Sequence, residues 1–399
     1  MTRPKEAAAK LTSRERMLRA LNRQQADHTP CCFMNFRALR ERHNNDFYEL
    51  VKAERAMGLD SELIFPTFAG TRPPEHPVLR GLPIRLHPDV KIREWYEDDP
   101  DGWRILHKEY TTPAGPLTTS MRQSDDWPFG DHIPFADDHM VPRAVKPLIT
   151  EPEDLEAFQY LLIPPAEQDV AKFREEVGQG RAFADEHGVL LTGMMGVGPD
   201  MATWLCGMQD LMMLTMEQPG FITDLLEMIH GWNMQRMELV LSAPVDLYIR
   251  RAWYEGCDVF TATFFRESIL PHLKMETALA HERGAKFGYT CTSGTVPMLD
   301  AYLEADLDVL IGIDPLQDRI MDMPRVREKL GGRICLWGGV STMTVEEETD
   351  EQRIRLAVTE AIETLGPDGL ILSPMDICID SPRTWHNVDI LIDEWRRHC

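Results

Sequence analysis

From residue 151 onward, short apolar runs alternate with longer stretches whose apolar residues recur at helical spacing. The runs predict strands at 189–194, 245–250, 286–290, 309–311, 334–337 and 369–373, and the amphipathic stretches predict helices at 218–241, 266–283, 296–304 and 350–365. Nearer the N-terminus, Thr12 and Glu15 stand at capping-box spacing ahead of an apolar stripe of Met17, Leu18 and Leu21. Thr29-Pro30 ends that helix and leads into an apolar run, 31–34, read as a buried strand. A helix over 46–57 and a strand over 62–65 follow. Strands alternating with helices imply a parallel sheet, and eight such strands suit a closed (β/α)8 TIM barrel. Between about 70 and 147 the helical period gives way to short alternating runs such as 90–96 and 103–112, separated by Asp-Pro-Asp-Gly and Pro-Ala-Gly-Pro turns. These predict antiparallel hairpins inserted near the N-terminal part of the barrel, placed to cover a site or to form an interface. Residues 1–11 read as a flexible extension and 12–399 as one barrel domain.

Composition narrows the function. Against 42 Lys and Arg stand 65 Asp and Glu, a formal net charge of −23. That field repels phosphate backbones and anionic lipid, so neither nucleic acid nor membrane is an expected partner. No run reaches the roughly 18–20 apolar residues of a membrane span, and the first residues lack a signal-like apolar core. The eight cysteines are scattered without a CxxC pair, which suits reduced thiols and a cytoplasmic location. Cys31 and Cys32 are adjacent on a strand, face opposite ways and read as packing rather than as joint ligands. Neither GxGxxG after the first strand nor GxxxxGK[ST] occurs.

In a (β/α)8 barrel the chemistry sits at the C-terminal ends of the strands. That rule selects 35–40, 194–200, 250–258, 289–293, Asp314, 338–341 and 374–380. Glu255 stands out, with helix capping or pairing to Arg250 or Arg251 as its structural alternative. Tyr248, Trp253 and Tyr254 suggest an aromatic wall, and Met194 a pocket lining. Met208, Met212, Met213 and Met216 read mostly as core at helical spacing, with a cofactor pocket as the alternative. The histidines, including His230 and His272, lack HxH or HxxxH spacing and read as solvated or capping groups.

Several segments resemble the uroporphyrinogen decarboxylase superfamily from about Thr12 to the C-terminus: 12–16 through Asp27-His28-Thr29-Pro30, the stretch 287–294, Leu336-Trp337-Gly338-Gly339-Val340, and Leu372-Ser373-Pro374 with Ser381, Pro382 and Asn387. The resemblance implies the same barrel and two chemistries. True decarboxylases place arginines after the first strand in a pattern like Phe-Met-Arg-Gln-Ala-Gly-Arg; here Asn35 and Leu39 replace both, with Arg37 and Arg40 out of register. Losing those guanidinium forks removes the main grip on a polycarboxylate. The corrinoid-linked (methylcobamide) methyltransferases of the other branch hold zinc with a His-x-Cys and a later Cys, and the zinc activates a thiol. Here Cys291 matches the first Cys, Tyr289 replaces the His, Asp376 takes the second Cys position, and Cys378 lies two residues on, sharing its side of an extended segment.

The resemblance therefore implies a methyltransferase that moves a methyl group between a corrinoid, on a partner protein or free, and a thiol, a folate, or a methoxylated or methylated compound. Glu255, Tyr289 and Asp376 would be catalytic. Asn35, Arg37, Met194, Tyr248, Trp253 and Tyr254 would bind substrate. Cys291, Cys378, Asp376 and Glu255 would be the metal ligands if zinc is used. In a metal-free variant Glu255, Tyr289 or Asp376 would position or protonate the substrate. A homodimer would be unsurprising. The alternatives are a decarboxylase of a tetrapyrrole or small carboxylate, and a non-catalytic tetrapyrrole-binding barrel.

Overall fold

A computed structural model describes residues 10–65 and 85–399. The proposed extension over residues 1–11 and the start of the predicted insertion lie largely outside those residues. The strands in chain order are β1 (Glu62–Phe65), β2 (Lys91–Asp98), β3 (Arg104–Thr112), β4 (Gly115–Arg122), β5 (Ala144–Lys146), β6 (Leu190–Gly196), β7 (Leu247–Arg251), β8 (Lys286–Thr290), β9 (Val309–Ile313), β10 (Cys335–Val340) and β11 (Leu370–Pro374). Seven of them form a curled parallel sheet in the order β1-β6-β7-β8-β9-β10-β11, with helices on its outside. The predicted strand at 31–34 is reduced to two parallel bridges, Cys31 to Leu372 and Met34 to Met375. It still holds the eighth position. Trp337 Nε1 donates to Cys32 O at 2.9 Å, and Asp60 N donates to Cys31 O at 2.8 Å just ahead of β1.

Because a strand alternates its side chains, the sheet sorts its residues between lumen and helix layer. Cys32, Met34, Leu190, Leu247, Ile249, Val309, Ile311, Cys335, Trp337, Ile371 and Met375 pack together inside the barrel. Their neighbours Cys31, Leu191, Tyr248, Phe287, Leu310, Leu336 and Leu372 pack outward against the helices. Cys31 and Cys32 thus face opposite ways, as alternation requires. The first helix, Ser13–Leu21, starts at the predicted capping box: Glu15 N donates to Thr12 Oγ1 and Thr12 N to the Glu15 carboxylate. Its Met17, Ala20 and Leu21 join the lumen cluster and plug one end of it.

The insertion is a four-stranded antiparallel sheet, β2-β3-β4-β5, with a small core of Leu106, Met121, Trp127, Ile133 and Met140. A 3-10 turn, Asp138–Arg143, lies between β4 and β5. No helix among the described residues is long and apolar enough to cross a membrane. The methionine expectation fails in part. Met212, Met213 and Met216 are exposed, since the helix Met208–Glu217 has one solvent face and is short enough to leave it uncovered.

Because Leu21 is fully buried in the lumen cluster, Leu21→Ala is expected to cost about 2–5 kcal/mol, against roughly 1 kcal/mol for Thr12→Ala, which loses only the cap. Urea unfolding midpoints of the two variants check that order.

Candidate active site

Register between β7 and β8 divides the expected site residues. Arg250 pairs with Tyr289 and Arg251 with Thr290, so the first pair faces the helices and the second faces the lumen. On the lumen side a cavity opens at the C-terminal ends of the strands, lined by Met34, Asn35, Arg40, Phe47, Glu62, Ile64, Met194, Ile249, Arg251, Trp253 and Thr290. It encloses about 40 Å³, room for roughly three waters or a small headgroup. The register of β6 shifts between Met194 and Gly196 as it reaches this end, a feature found beside many active sites.

Among the described residues two guanidiniums enter the lumen, and both are held. Arg251 is paired with the buried Asp200, and its Nη2 donates to Asp138 of the inserted domain at 2.5 and 2.6 Å. Asp200 also accepts from the amides of Trp253 and Tyr254 at 3.1 and 2.8 Å, fixing the loop after β7. Arg251 lies 4.8 Å from the ring of Trp204, 5.5 Å from Tyr254 and 6.0 Å from Trp253. Arg40 donates to Asn35 Oδ1 at 3.0 Å, and the Asn35 amide in turn donates to Asp376. Asn35 and Asp376 both adopt left-handed backbone, at φ 49° each, which Asn and Asp tolerate better than most residues.

Glu62 is the unexpected member. It sits on β1 facing the lumen, 7% exposed, and accepts from the Thr192 hydroxyl on β6. Burial pushes its carboxyl up to about 7, partly offset by that hydrogen bond. Among the described residues no cation pairs with it. Glu54, bonded to the Ser61 hydroxyl nearby, is pushed up by burial to about 8.

Behind the sheet lies a second polar cluster. Arg250 Nη2 donates to both Glu255 oxygens at 3.0 and 2.9 Å, its Nη1 donates to Glu276 Oε1 at 2.9 Å, and the Tyr289 hydroxyl donates to Glu255 Oε2 at 2.7 Å. His230 Nδ1 lies 3.3 Å from Glu276 Oε1, its ring stacks on His272 at 4.0 Å, and His272 Nε2 meets Glu227 at 2.9 Å. His230 and His272 are therefore largely buried partners of carboxylates rather than solvated groups, because the helices that carry them pack against each other. A Cβ at position 198 would fall 1.9 Å from Arg250 Nη2, so Gly198 is what lets this cluster close.

Of the expected residues, the structure brings Asn35, Met194 and Trp253 to the cavity, and Asp376 beside it through Asn35. Tyr254 stands next to Arg251 outside the lining, and Arg37 pairs with Glu41 on an exposed helix. Tyr248, Glu255, Tyr289 and Cys291 belong to the helix-facing side. The expected ligand set is not assembled. Glu255 is committed to Arg250 and Tyr289, Cys291 Sγ donates to Ser293 O at 3.3 Å, and Cys378 Sγ donates to Asp376 O at 3.1 Å. Burial pushes both thiols up to about 12. Asp376 and Cys378 do not share an extended segment, because the left-handed turn at Asp376 breaks it. Among the described residues no three His, Cys, Asp or Glu side chains are grouped to hold a metal ion, so this donor set does not fit zinc.

Two outcomes follow. A carboxyl at about 7 in the folded chain against an ordinary 4.5 unfolded stays protonated longer when folded, so its stabilising effect is full below about 4.5 and is lost as pH rises through 7. Glu62→Gln is therefore expected to leave the unfolding midpoint unchanged near pH 4.5 and to raise stability at pH 8 by on the order of 2–3 kcal/mol. Glu255→Ala, by contrast, leaves the buried Arg250 with Glu276 alone and takes the acceptor from the Tyr289 hydroxyl, and is expected to cost on the order of 3 kcal/mol at neutral pH. Urea titrations at the two pH values check both.

Comparison with known proteins agrees with this architecture. The family model described as uroporphyrinogen decarboxylase (URO-D) matches residues 127–396. No curated protein gives a significant match. Among solved structures, a methyltransferase from Methanosarcina mazei aligns over 97% of this chain and 99% of its own, at 15% identity and a TM-score of 0.59, a likeness of fold. A B12-independent methionine synthase from Shewanella sp. (10% identity, 55% of this chain and 66% of its own, TM-score 0.40) and a D-psicose 3-epimerase from Clostridium cellulolyticum (11%, 56% and 81%, 0.35) are more distant. With the barrel, its strand order and a family match across most of its length, this chain belongs to the uroporphyrinogen decarboxylase family.

Proposed function

We propose that the chain is a methyltransferase working at the barrel mouth, moving a methyl group between a corrinoid carried by a partner protein and a small donor or acceptor. The observation that carries this reading is the charge of the lumen. A porphyrinogen with many carboxylates needs free guanidinium forks, whereas among the described residues the guanidiniums at the lumen, Arg251 and Arg40, are engaged, with Asp138, Asp200 and Asp376 beside them and Glu62 in the cavity wall. The likeness in fold to a methyltransferase over nearly the whole of both chains supports the same branch.

A corrinoid supplies a cobalt centre able to give or take a methyl group. The residues of this chain do the rest. Met34, Ile64, Met194 and Trp253 supply the apolar part of the lining, and the cavity's small volume favours a corrinoid that stays at the rim while the small substrate enters. Glu62, rather than Glu255 or Tyr289, is placed to hold or release a proton at the substrate near neutral pH. Asp138 ties the inserted domain to Arg251, so the insertion helps set the mouth's shape.

The test follows the corrin spectrum while the protein is mixed with methylcobalamin and thiol or folate acceptors, and with reduced cobalamin and methylated or methoxylated donors. Protein-dependent gain or loss of the methylcobalamin spectrum with at least one partner is expected. Carbon dioxide release from a porphyrinogen or a small carboxylate, with no corrinoid dependence, would overturn the reading.

A further inference from the structure

The lumen contains a buried carboxylate with no counter-charge among the described residues. Glu62 lines the cavity, is more than nine-tenths buried, and uses one oxygen to accept from Thr192. Around it are an indole, Trp253, two thioethers, Met34 and Met194, and the aliphatic Ile64. The two guanidiniums at the same cavity do not balance Glu62: Arg251 is matched by Asp200 and Asp138, and Arg40 is bound through Asn35 to Asp376. Neither guanidinium bonds to Glu62, whose carboxylate is left without a counter-charge among the described residues. A buried anion without a partner is strongly disfavoured, and a ligand cation would relieve it. Aromatic faces and polarizable sulfurs suit a diffuse cation carrying methyl groups better than a compact, strongly hydrated one. The cavity, with room for roughly three waters, is of the size a small headgroup fills.

We infer that this lumen takes its substrate by a methylated ammonium headgroup, held between the Glu62 carboxylate and the Trp253 indole with Met34, Met194 and Ile64 around its methyl groups. The inference rests on the lumen being the reaction site, and it narrows the methylated compounds of that reading to cations. A headgroup seated this way presents a methyl group outward to the mouth, where a rim-bound methyl carrier would meet it. Arg251, 6.0 Å from the Trp253 ring, is the nearest competitor for that indole face, but its charge is already matched by two carboxylates.

The experiment measures binding by calorimetry on the full chain at pH 8, without corrinoid. The probes are choline, its uncharged isostere 3,3-dimethyl-1-butanol, tetramethylammonium and 4-methoxybenzoate. Choline and tetramethylammonium are expected to bind, choline about ten-fold or more tighter than the isostere, an advantage worth about 1.4 kcal/mol. Glu62→Gln is expected to bring the choline preference down to about two-fold or less, and Trp253→Leu to weaken both cations while leaving the anion unbound. The tryptophan variant also serves if Glu62→Gln does not fold. Equal binding of choline and its isostere, preferential binding of the benzoate, or unchanged cation binding in both variants would overturn the inference. Because no methyl transfer is measured, cation binding without turnover would count against the proposed reaction alone, and turnover on a neutral methyl ether without cation preference against this inference alone.

Discussion

Arg250 and Arg251 are neighbours on one strand, and strand geometry sends them to opposite faces of the sheet. Each is buried, and each is neutralised by carboxylates brought from other elements: Glu255 and Glu276 behind the sheet, Asp200 and Asp138 at the mouth. A buried guanidinium without such partners would carry a penalty of several kcal/mol. The loop after β7, the helix that begins at Pro199, the inserted domain and the helix Leu270–Glu282 are thereby all fastened to this strand. The outer arginine stabilises the join between barrel and helices. The inner one shapes the mouth.

The division explains why the lumen is unlike a polycarboxylate site although the chain belongs to a family described by a decarboxylase. Its positive groups serve the protein's own carboxylates. Glu62 is the exception, with its charge uncompensated among the described residues and its carboxyl raised by burial. A perturbed acid in a cleft is a candidate site of chemistry. Glu54 and Glu255 are also raised by burial, but both sit off the cavity lining, Glu54 against Ser61 and Glu255 against Arg250 and Tyr289.

Much of the fold was legible. Apolar runs located β1 and every barrel strand from β6 to β11, and the capping box at Thr12 located the first helix within a residue. The run at 31–34 was placed correctly, but its pairing is reduced to bridges, which an apolar pattern cannot distinguish from a full ladder. The site was legible only in part. Selecting strand ends picked the segments that hold Asn35, Met194, Asp200, Arg251 and Trp253. It also favoured Glu255, Tyr289 and Cys291, because residues at a strand's end look equally promising whichever face they take. Counting parity back from Leu247 and Ile249 separates Arg251 from Arg250, and the same count from Ile64 points Glu62 inward. Asp138 could not be found that way, since its role depends on where an inserted domain folds back. His230 and His272 were missed because their contact joins two helices 42 residues apart along the chain, beyond any local spacing rule.

On the proposed reading the chemistry belongs to the lumen side of the sheet, not to its helix-facing side. That placement is tested most directly by steady-state methyl transfer in Glu62→Gln and Trp253→Leu beside Tyr289→Phe and Cys291→Ser, with each variant's folded fraction measured first. The account predicts that the two lumen variants lose turnover or substrate affinity at least ten-fold, while the two helix-facing variants keep both within about three-fold. Loss confined to Tyr289→Phe and Cys291→Ser, with the lumen variants active, would contradict it.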